Sequence, residues 1–423
     1  MKKESIDILI IGAGPSGCVS ASYLKNKGLN VRVIEKTKFP RHVVGESLLP
    51  RCMDHLDEVG LLDCLKEEKF EIKSGARFIK GDDVCDFDFS KKFTEGRNWT
   101  WQVPRDTFDN ALAKEIQKKG VQIDFEHEVT DVQFNGSNSE TTIRNKAGEE
   151  KIITAKFIID SSGFGRVLPR ILKLDKESSL PKHSSIFTQV KDINRPEGKE
   201  GTIITFDVLT TQVWLWVIPF SNGNTSIGFV GPTEYINSFK GTPEQRISKL
   251  LQKSEYYLDR FKGLKPLFEP KIIQNISKSV TQLHGKGYAL TGNSAEFLDP
   301  VFSSGVTFAT ESGLLSAKLA YRELQNDQVD WDKEYTQYIE KGVRVFGSYV
   351  KEWYTGNLQD LFFHKPENPE IKRQICAVLA GYVWDDSNPF VKKHDRIIKS
   401  VANFINLNSE QEKVFTPIEK SLF

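Results

Sequence analysis

The stretch that decides the fold is Ile6-Asp7-Ile8-Leu9-Ile10-Ile11-Gly12-Ala13-Gly14-Pro15-Ser16-Gly17. Its first half is a short β-branched run bounded by glycine, which predicts a buried parallel strand over residues 6–11. Its second half is the pattern Gly-x-Gly-x-x-Gly, and a helix is predicted over residues 15–27 that ends near Gly28. A second apolar run, at residues 31–34, completes a predicted β-α-β unit.

The glycine pattern predicts a dinucleotide site. Glycine at positions 12, 14 and 17 permits a tight turn and lets backbone N–H groups approach a pyrophosphate, whose charge a helix N-terminus favours. Glu35 ends the second strand, 21 positions after Gly14, where a carboxylate can accept hydrogen bonds from ribose hydroxyls. A glycine pattern alone also fits a purely structural turn. Its position between a strand and a helix, together with Glu35, favours a bound dinucleotide.

Further elements follow along the chain. Helical spacing predicts helices from Pro50 to about residue 67, over 105–119, over 243–254 and from 304 to about 325. The stretch between residues 180 and 280 is otherwise strand-like, as expected of an antiparallel second lobe. The sequence shows no internal repeat and no long linker.

Composition and charge exclude several classes of protein. The 58 Lys and Arg residues nearly balance the 57 Asp and Glu residues, so the net charge of +1 gives no electrostatic footprint for nucleic acid. Five scattered cysteines without a Cys-x-x-Cys pair predict reduced thiols and a cytoplasmic protein. Seven dispersed histidines lack metal-ligand spacing, so no metal site is expected. No apolar run approaches 18 residues, and we expect no transmembrane segment.

Three later segments indicate which dinucleotide is bound. Arg105 opens a predicted helix, Asp160-Ser161-Ser162-Gly163 follows a core strand, and the stretch 292–300 reads GNSAEFLDP before another helix. Together with the glycine turn, these segments resemble the flavin monooxygenase superfamily built like p-hydroxybenzoate hydroxylase, and the resemblance covers about residues 5–325. It implies FAD as the cofactor. The family usually has Gly-Asp where this chain has Gly292-Asn293. Asn293 lacks the negative charge of that aspartate, and we therefore expect flavin to be held less tightly.

The resemblance implies an α/β fold with a doubly wound, Rossmann-type FAD-binding domain that carries a β-meander. An antiparallel-sheet substrate domain and a helical C-terminal region complete the expected architecture. The predicted ranges are 1–80, 100–180 and 280–330 for the FAD-binding domain, 81–99 and 181–279 for the substrate domain, and 331–423 for the helical region.

Other segments narrow the resemblance to flavin-dependent halogenases. The stretch 39–50, FPRHVVGESLLP, is similar to both those halogenases and geranylgeranyl reductases. Residues 214–219 match Trp-x-Trp-x-Ile-Pro, and residues 299–306 resemble the flavin–halide segment of the halogenases. Residues 70–76, FEIKSGA, resemble the segment that carries their catalytic lysine. Phe302 stands where the tryptophan halogenases have a glutamate, so free tryptophan is not the expected substrate.

The resemblance implies a role for each matching residue. The catalytic residues would be Lys73, Trp214 and Trp216, and the halide would lie beside Ser304 and Gly305. The cofactor-binding residues would be Gly12, Gly14, Pro15, Ser16, Gly17, Glu35, Lys36, Arg41, Ser47, Arg105, Val129, Asp160, Gly163, Gly292, Asn293, Asp299, Pro300, Gly305 and Val306.

Each of these matches also has a simpler interpretation. A Trp-x-Trp pair places both rings on one face of a strand, as in many hydrophobic cores. A single lysine such as Lys73 is usually solvent-exposed, and Ser303-Ser304-Gly305 also fits a helix cap. The agreement of several independent segments favours the functional interpretation.

The implied activity is that of a two-component halogenase. It would use reduced FAD from a separate flavin reductase, O2 and a halide ion to modify a phenol, a pyrrole or a carrier-bound acyl substrate. Only one dinucleotide fingerprint is present, which is why the reductase is expected to be a separate protein. The alternatives are a flavin reductase like geranylgeranyl reductase, an aromatic monooxygenase and a flavin-binding module without catalysis.

Overall fold

The computed structural model describes residues 4–136 and 138–415. Residues 416–423 of the predicted helical region lie outside the described residues, as do residues 1–3 and 137. In chain order the strands are β1 (Glu4–Ile11), β2 (Val31–Glu35), β3 (Glu71–Lys73), β4 (Gly75–Lys80), β5 (Asp83–Asp88), β6 (Thr100–Gln102), β7 (Gln122–Phe125), β8 (His127–Asn135), β9 (Asn138–Asn145), β10 (Glu150–Asp160), β11 (Asp175–Lys176), β12 (His183–Lys191), β13 (Thr205–Thr210), β14 (Val213–Pro219), β15 (Asn224–Pro232), β16 (Lys271–Ile273), β17 (Ser279–Val280), β18 (His284–Gly285) and β19 (Tyr288–Leu290).

The α-helices are α1 (Pro15–Asn26), α2 (Pro50–Glu58), α3 (Leu62–Lys66), α4 (Arg105–Lys118), α5 (Val167–Ile171), α6 (Lys199–Thr202), α7 (Thr233–Ser238), α8 (Pro243–Leu251), α9 (Leu258–Phe261), α10 (Gly305–Leu324), α11 (Gln337–Tyr354), α12 (Asn357–Phe363), α13 (Pro369–Leu379), α14 (Pro389–Lys392) and α15 (His394–Phe415). Short 3-10 turns lie at Phe89–Lys91, Gly163–Gly165, Gly292–Ser294 and Pro300–Phe302, and a π-helical turn at Asp332–Thr336 precedes α11.

The first sheet has the doubly wound order β18-β19-β10-β1-β2-β7, with β8 and β9 added to β10 as an antiparallel meander. The pairs β1–β10, β1–β2, β2–β7 and β10–β19 are parallel. Because the carboxyl ends of parallel strands meet at one edge, the turns after these strands converge there. The predicted fold class is confirmed.

Helices α1 and α10 pack closely against each other beside this sheet. The Ser20 hydroxyl donates to the Gly313 carbonyl oxygen at 2.9 Å. A Cβ atom at Gly313 would lie 2.7 Å from the Ser16 carbonyl oxygen, so only glycine permits this approach. The close contact brings the N-termini of both helices to the carboxyl edge of the sheet.

The second sheet has the order β16-β12-β15-β14-β13-β4-β5. It is antiparallel except for the β13–β4 pair, and β14 lies near its centre between β13 and β15. Its strand β4 comes from the stretch that the sequence assigned to the FAD-binding domain. The predicted domain ranges themselves stay a prediction.

Two local predictions differ from the structure. The helix predicted from Pro50 to residue 67 is divided into α2 and α3, because Gly60 adopts a left-handed conformation with φ of +67° that ends a helical turn. The second lobe contains the short helices α6, α7 and α9 besides the predicted one. Over the described residues, no helix combines the length and the apolar character that crossing a membrane requires.

Candidate active site

A cavity of about 400 Å³ lies at the carboxyl edge of the parallel sheet. Residues at the ends of β1, β2, β10 and β19 line it, and so do the first turns of α1 and α10. The free N–H groups of a helix N-terminus carry partial positive charge, so two such ends on one cavity favour an anionic ligand.

The glycine-rich turn forms one wall of this cavity. Gly12 has φ of +101°, and a Cβ atom there would lie 2.5 Å from the Ser161 carbonyl oxygen. Gly17 does not line the cavity, because it packs against the Gly12 carbonyl, which a Cβ atom would approach to 2.0 Å. Gly14 lines the cavity and leaves its Cβ position open, with only Arg41 Nη2 near it, at 3.8 Å. Gly14 is therefore the glycine that leaves room for a ligand.

Glu35 is held rigidly at the end of β2. One carboxylate oxygen accepts a hydrogen bond from Ala13 N at 3.0 Å, and the other accepts bonds from Thr37 N at 2.9 Å and Thr37 Oγ1 at 2.6 Å. Arg41 Nε lies 4.0 Å from the carboxylate, is buried and has no hydrogen-bond partner. This nitrogen therefore faces Glu35 and not the cavity, and the fit to a dinucleotide rests on the open Cβ position of Gly14 on the cavity wall beside the α1 N-terminus.

Arg105 organises the loop on the other side of the cavity. Its Nε and Nη2 atoms donate to the Asp109 carboxylate at 2.8 and 2.9 Å, and Nη1 donates to the Val44 carbonyl at 2.8 Å. Gly45, with φ of +100°, leaves the space that Nη1 occupies, since a Cβ atom would lie 2.9 Å from it. Arg105 lines the cavity, but all three of its nitrogen atoms are used to hold the 44–47 loop against α4.

The segment after β19 supplies the third wall. Gly292, Asn293, Pro300, Gly305 and Val306 line the cavity there. The structure brings most of the predicted cofactor-binding residues together. Besides these five, the predicted residues that line the same cavity are Gly12, Gly14, Pro15, Ser16, Glu35, Lys36, Arg41, Ser47, Arg105, Val129 and Gly163.

Two predicted carboxylates do not reach the cavity. Asp160 accepts hydrogen bonds from Ser162 N and Leu168 N at 2.8 and 2.7 Å, and so fixes the turn after β10. Asp299 is 1% exposed and accepts a hydrogen bond from Val301 N at 3.1 Å. Both shape the walls through the backbone, which a motif match cannot distinguish from contact with a ligand.

The predicted halide pair is divided. Gly305 lines the cavity as the first residue of α10, whereas Ser304 is buried behind it. Ser303 lines the cavity instead, in a left-handed conformation with φ of +55°. The prediction concerned the backbone N–H groups of Ser304 and Gly305, so the burial of the Ser304 side chain leaves it a prediction.

Trp214 and Trp216 both line the cavity from β14, on the same face of the second sheet. Their ring centroids are 6.1 Å apart. The Trp216 indole N–H donates to Ser226 Oγ at 3.1 Å, and its ring lies over Gly228 on β15, where a Cβ atom would approach it to 2.2 Å. We refer to the pair Trp214 and Trp216 as the tryptophan wall.

Lys73 lies outside the cavity, at the end of β3. Its side chain is 3% exposed, and Nζ donates to Ser47 Oγ at 2.8 Å and to the Leu48 carbonyl at 2.9 Å. The Phe89 ring lies 5.6 Å from Nζ on another side. Burial lowers the pKa of the Lys73 ammonium to about 7. Because Ser47 lines the cavity, one hydroxyl separates the cavity from this amine.

Sequence reasoning assigned no role to Glu46, which also lines the cavity. Its Oε1 atom accepts a hydrogen bond from Gln189 Nε2 at 2.6 Å, and its buried Oε2 atom has no partner. Burial raises the pKa of this carboxyl to about 7. The position of Glu46 beside Ser47 in the quoted loop was the only sequence signal for it. Phe164, which lies between two glycines at the cavity, was missed in the same way.

A family model described as an FAD binding domain matches residues 5–284. The chain therefore belongs to the FAD-binding domain family, and the predicted cofactor, FAD, is confirmed together with the class, an FAD-dependent oxidoreductase. Within the described residues, no group of three or more His, Cys, Asp or Glu side chains is placed to hold a metal ion.

Individual relatives and solved structures indicate which members of this family the chain resembles. The 1H-pyrrole-2-carbonyl-[peptidyl-carrier protein] chlorinase of Pseudomonas fluorescens is 27% identical over 413 residues, which is 91% of each chain. The crystal structure of a flavoprotein/dehydrogenase from Cytophaga hutchinsonii is 49% identical, with a TM-score of 0.94 over 96% of this chain and 100% of that one. The myxobacterial chondrochloren halogenase, an FAD-dependent halogenase, is 25% identical, with a TM-score of 0.75 over 95% and 97%. The predicted resemblance to flavin-dependent halogenases is confirmed.

Proposed function

We propose that this protein is a two-component flavin-dependent halogenase that acts on an electron-rich aromatic substrate, with a carrier-bound pyrrole or a phenol as the first candidates. The observation that carries the proposal is the shared cavity. The glycine turn, the start of α10 and the tryptophan wall all border one space. The pyrrolyl-carrier chlorinase relative, aligned over 91% of both chains, supports the substrate class.

FAD, supplied in reduced form by a separate reductase, would activate O2 for oxidation of a halide ion. Gly12, Gly14 and the α1 N-terminus would hold its pyrophosphate, and Glu35 would accept hydrogen bonds from a ribose. The N–H groups at the start of α10 would hold the halide beside the flavin. The tryptophan wall would exclude the organic substrate and water from the place where the halide is oxidised.

The Lys73 amine would then attack the halogen of the hypohalous acid, so that an N–halogen bond forms while the O–halogen bond breaks and the hydroxide leaves as water with an amine proton. The aromatic carbon would take the halogen from this nitrogen and lose its own proton. With a pKa of about 7, a large fraction of the amine is unprotonated at neutral pH and can act as a nucleophile, whereas an ordinary lysine is almost fully protonated. Ser47 lines the cavity and accepts a hydrogen bond from the Lys73 Nζ atom, so the halogen would pass Ser47 on its way from the cavity to this amine. We also propose that the protein works in the cytoplasm, where its five free thiols stay reduced.

The test is reconstitution with FAD, a flavin reductase, NADH, O2 and bromide or chloride. Phenols, free pyrroles and a pyrrolyl-loaded carrier protein serve as substrates, and mass spectrometry distinguishes halogenated from hydroxylated products. Halogenation that depends on both halide and substrate supports the proposal. Hydroxylation alone, or flavin oxidation without any product, contradicts it.

A second candidate is a flavin-dependent dehydrogenase or reductase. Two observations favour it: Lys73 is sealed from the cavity, and the relative that is 49% identical is described as a flavoprotein/dehydrogenase. Anaerobic oxidation of the reduced enzyme by an unsaturated acceptor, without O2 or halide, would support this candidate over the first.

A further inference from the structure

The tryptophan wall is connected to the flavin cavity by side chains that the proposed function does not use. The Trp214 indole N–H donates to the Tyr354 hydroxyl at 2.9 Å, and that hydroxyl donates to Asp299 Oδ2, also at 2.9 Å. Tyr354 is the last residue of α11 and lies 140 positions after Trp214. Two hydrogen bonds therefore join the central strand of the second sheet, the helical region and the turn before α10.

The Asp299 carboxylate is fixed at both of its oxygens. Oδ1 accepts from Val301 N at 3.1 Å, which sets the turn that leads through Ser303 to Gly305 at the cavity. His183 Nδ1 lies 3.3 Å from Oδ2, and the His183 ring packs on the Tyr354 ring with centroids 4.0 Å apart. A displacement of Tyr354 would therefore change the positions of both the Trp214 indole and the start of α10.

Tyr354 is suited to remain the neutral link in this chain. Burial, together with the adjacent Asp299 carboxylate, raises the pKa of its phenol well above the ordinary value, so the hydroxyl keeps the proton that it donates. A phenol that accepts one hydrogen bond and donates another has a defined direction, which fixes the indole orientation. Phenylalanine at this position would fill the same space without either bond.

We propose that Tyr354 is a positioning residue that holds Trp214 in place against the turn of the proposed halide site, through Asp299. This inference rests on the proposed function, because it gives the wall its fixed geometry. The wall's second member uses a different hydroxyl, Ser226, so Tyr354 controls Trp214 alone.

The test compares Tyr354→Phe with Tyr349→Phe. Tyr349 lies on the same helix and is fully buried, but its hydroxyl makes only a 3.4 Å contact with the Phe390 carbonyl, away from the cavity. The seven tryptophan indoles are labelled with ¹⁵N, and the Trp214 resonance is identified by its loss in Trp214→Phe. In Tyr354→Phe we expect that resonance to shift and its indole proton to exchange about two- to tenfold faster, the range that corresponds to one lost hydrogen bond. Tyr349→Phe should leave it in place.

The second measurement is halogenated product formed per reduced FAD consumed. Tyr354→Phe should lower this ratio about two- to tenfold, with the remainder released as hydrogen peroxide, and should add little to the effect of Trp214→Phe in the double variant. An unshifted Trp214 resonance, an equal effect of Tyr349→Phe, or full additivity with Trp214→Phe would overturn the inference. If the unmodified protein makes no halogenated product, the proposed function fails, and the indole resonance still decides whether Tyr354 positions Trp214.

Discussion

The two sides of the proposed site are built by different means. On the flavin side, glycines and two helix N-termini present backbone N–H groups, and the side chains mainly brace the turns. The proposed halogen-transfer residues, the tryptophan wall and Lys73, are together called the wall side here. They would act through bulky rings and a buried amine, and contacts between distant parts of the chain set Trp214 and Lys73. The flavin side should therefore be sensitive to added atoms, and the wall side to removed functional groups.

The largest expected effect is on the wall side, at Lys73. Lys73→Met keeps the volume and removes the amine, so halogenation should fall about 100-fold or more, while FAD affinity stays unchanged. Stability should change little, because methionine avoids the desolvation cost of the buried amine but leaves Ser47 Oγ and the Leu48 carbonyl without its two hydrogen bonds. Product analysis, FAD titration and thermal unfolding are the three measurements.

Lys73→Arg is the control for this prediction. It keeps a positive charge but, with a guanidinium that stays protonated, offers no neutral amine, so it should also be inactive. Normal halogenation by the methionine variant would remove Lys73 from the mechanism and favour the dehydrogenase candidate.

The next effect separates two glycines of the flavin side. Gly12→Ala places a Cβ atom 2.5 Å from a carbonyl oxygen at φ of +101°, and should cost about 2–4 kcal/mol of unfolding free energy. Gly14→Ala meets no protein atom closer than 3.8 Å and should stay within about 1 kcal/mol. Its methyl group would instead occupy ligand space, so FAD affinity should fall about tenfold. Denaturant unfolding of the apoprotein and FAD titration distinguish the two, and equal stability losses would contradict the assignment.

The sequence predicts more of the flavin side than of the wall side, because local patterns determine the first and long-range contacts determine the second. The glycine turn, Glu35 and the 292–306 segment leave local patterns, because turn geometry depends on neighbouring residues, and the structure brings them together as expected. The Trp214–Tyr354 contact spans 140 residues and has no local pattern. The burial of Lys73 depends on Phe89 and on the 47–48 loop, which periodicity does not place.

Asp160 and Asp299 illustrate the limit of motif matching. Both were predicted to bind the cofactor because they stand in matching segments, yet both accept hydrogen bonds from backbone N–H groups behind the cavity wall. A carboxylate that shapes a turn and one that touches a ligand occur at the same spacing in the sequence. Only the fold separates the two roles.

A smaller effect should be visible as a pH profile. Because only the unprotonated Lys73 amine is a nucleophile and its pKa is about 7, halogenation should rise about tenfold between pH 6 and pH 8 and level off above that. Oxygen consumption by the reduced enzyme without substrate reports on the flavin side and should not follow this curve. If both rates rise together, the pH dependence belongs to the flavin side and not to Lys73.

The smallest expected effect concerns Glu46, a buried cavity residue whose carboxylate accepts a hydrogen bond from Gln189 on β12 of the second sheet. Its pKa of about 7 in the folded protein lies above the ordinary 4.5, so the unfolded chain loses this proton first as the pH rises. The contribution of Glu46 to stability is therefore full below about pH 4.5 and is lost as the pH rises towards 7. Glu46→Gln is always neutral and keeps an oxygen for Gln189. Its free energy of unfolding, relative to that of the unmodified protein, should therefore rise by on the order of 1–2 kcal/mol as the pH goes from 5 to 7.5.

Glu311→Gln is the matched contrast, because the His55 and Arg51 partners lower the pKa of Glu311 to about 2 despite its burial. Loss of this carboxylate should destabilise the protein at neutral pH. Denaturant unfolding across this pH range measures both, and a Glu46→Gln difference that does not change with pH would show that the carboxyl is already ionised in the folded protein.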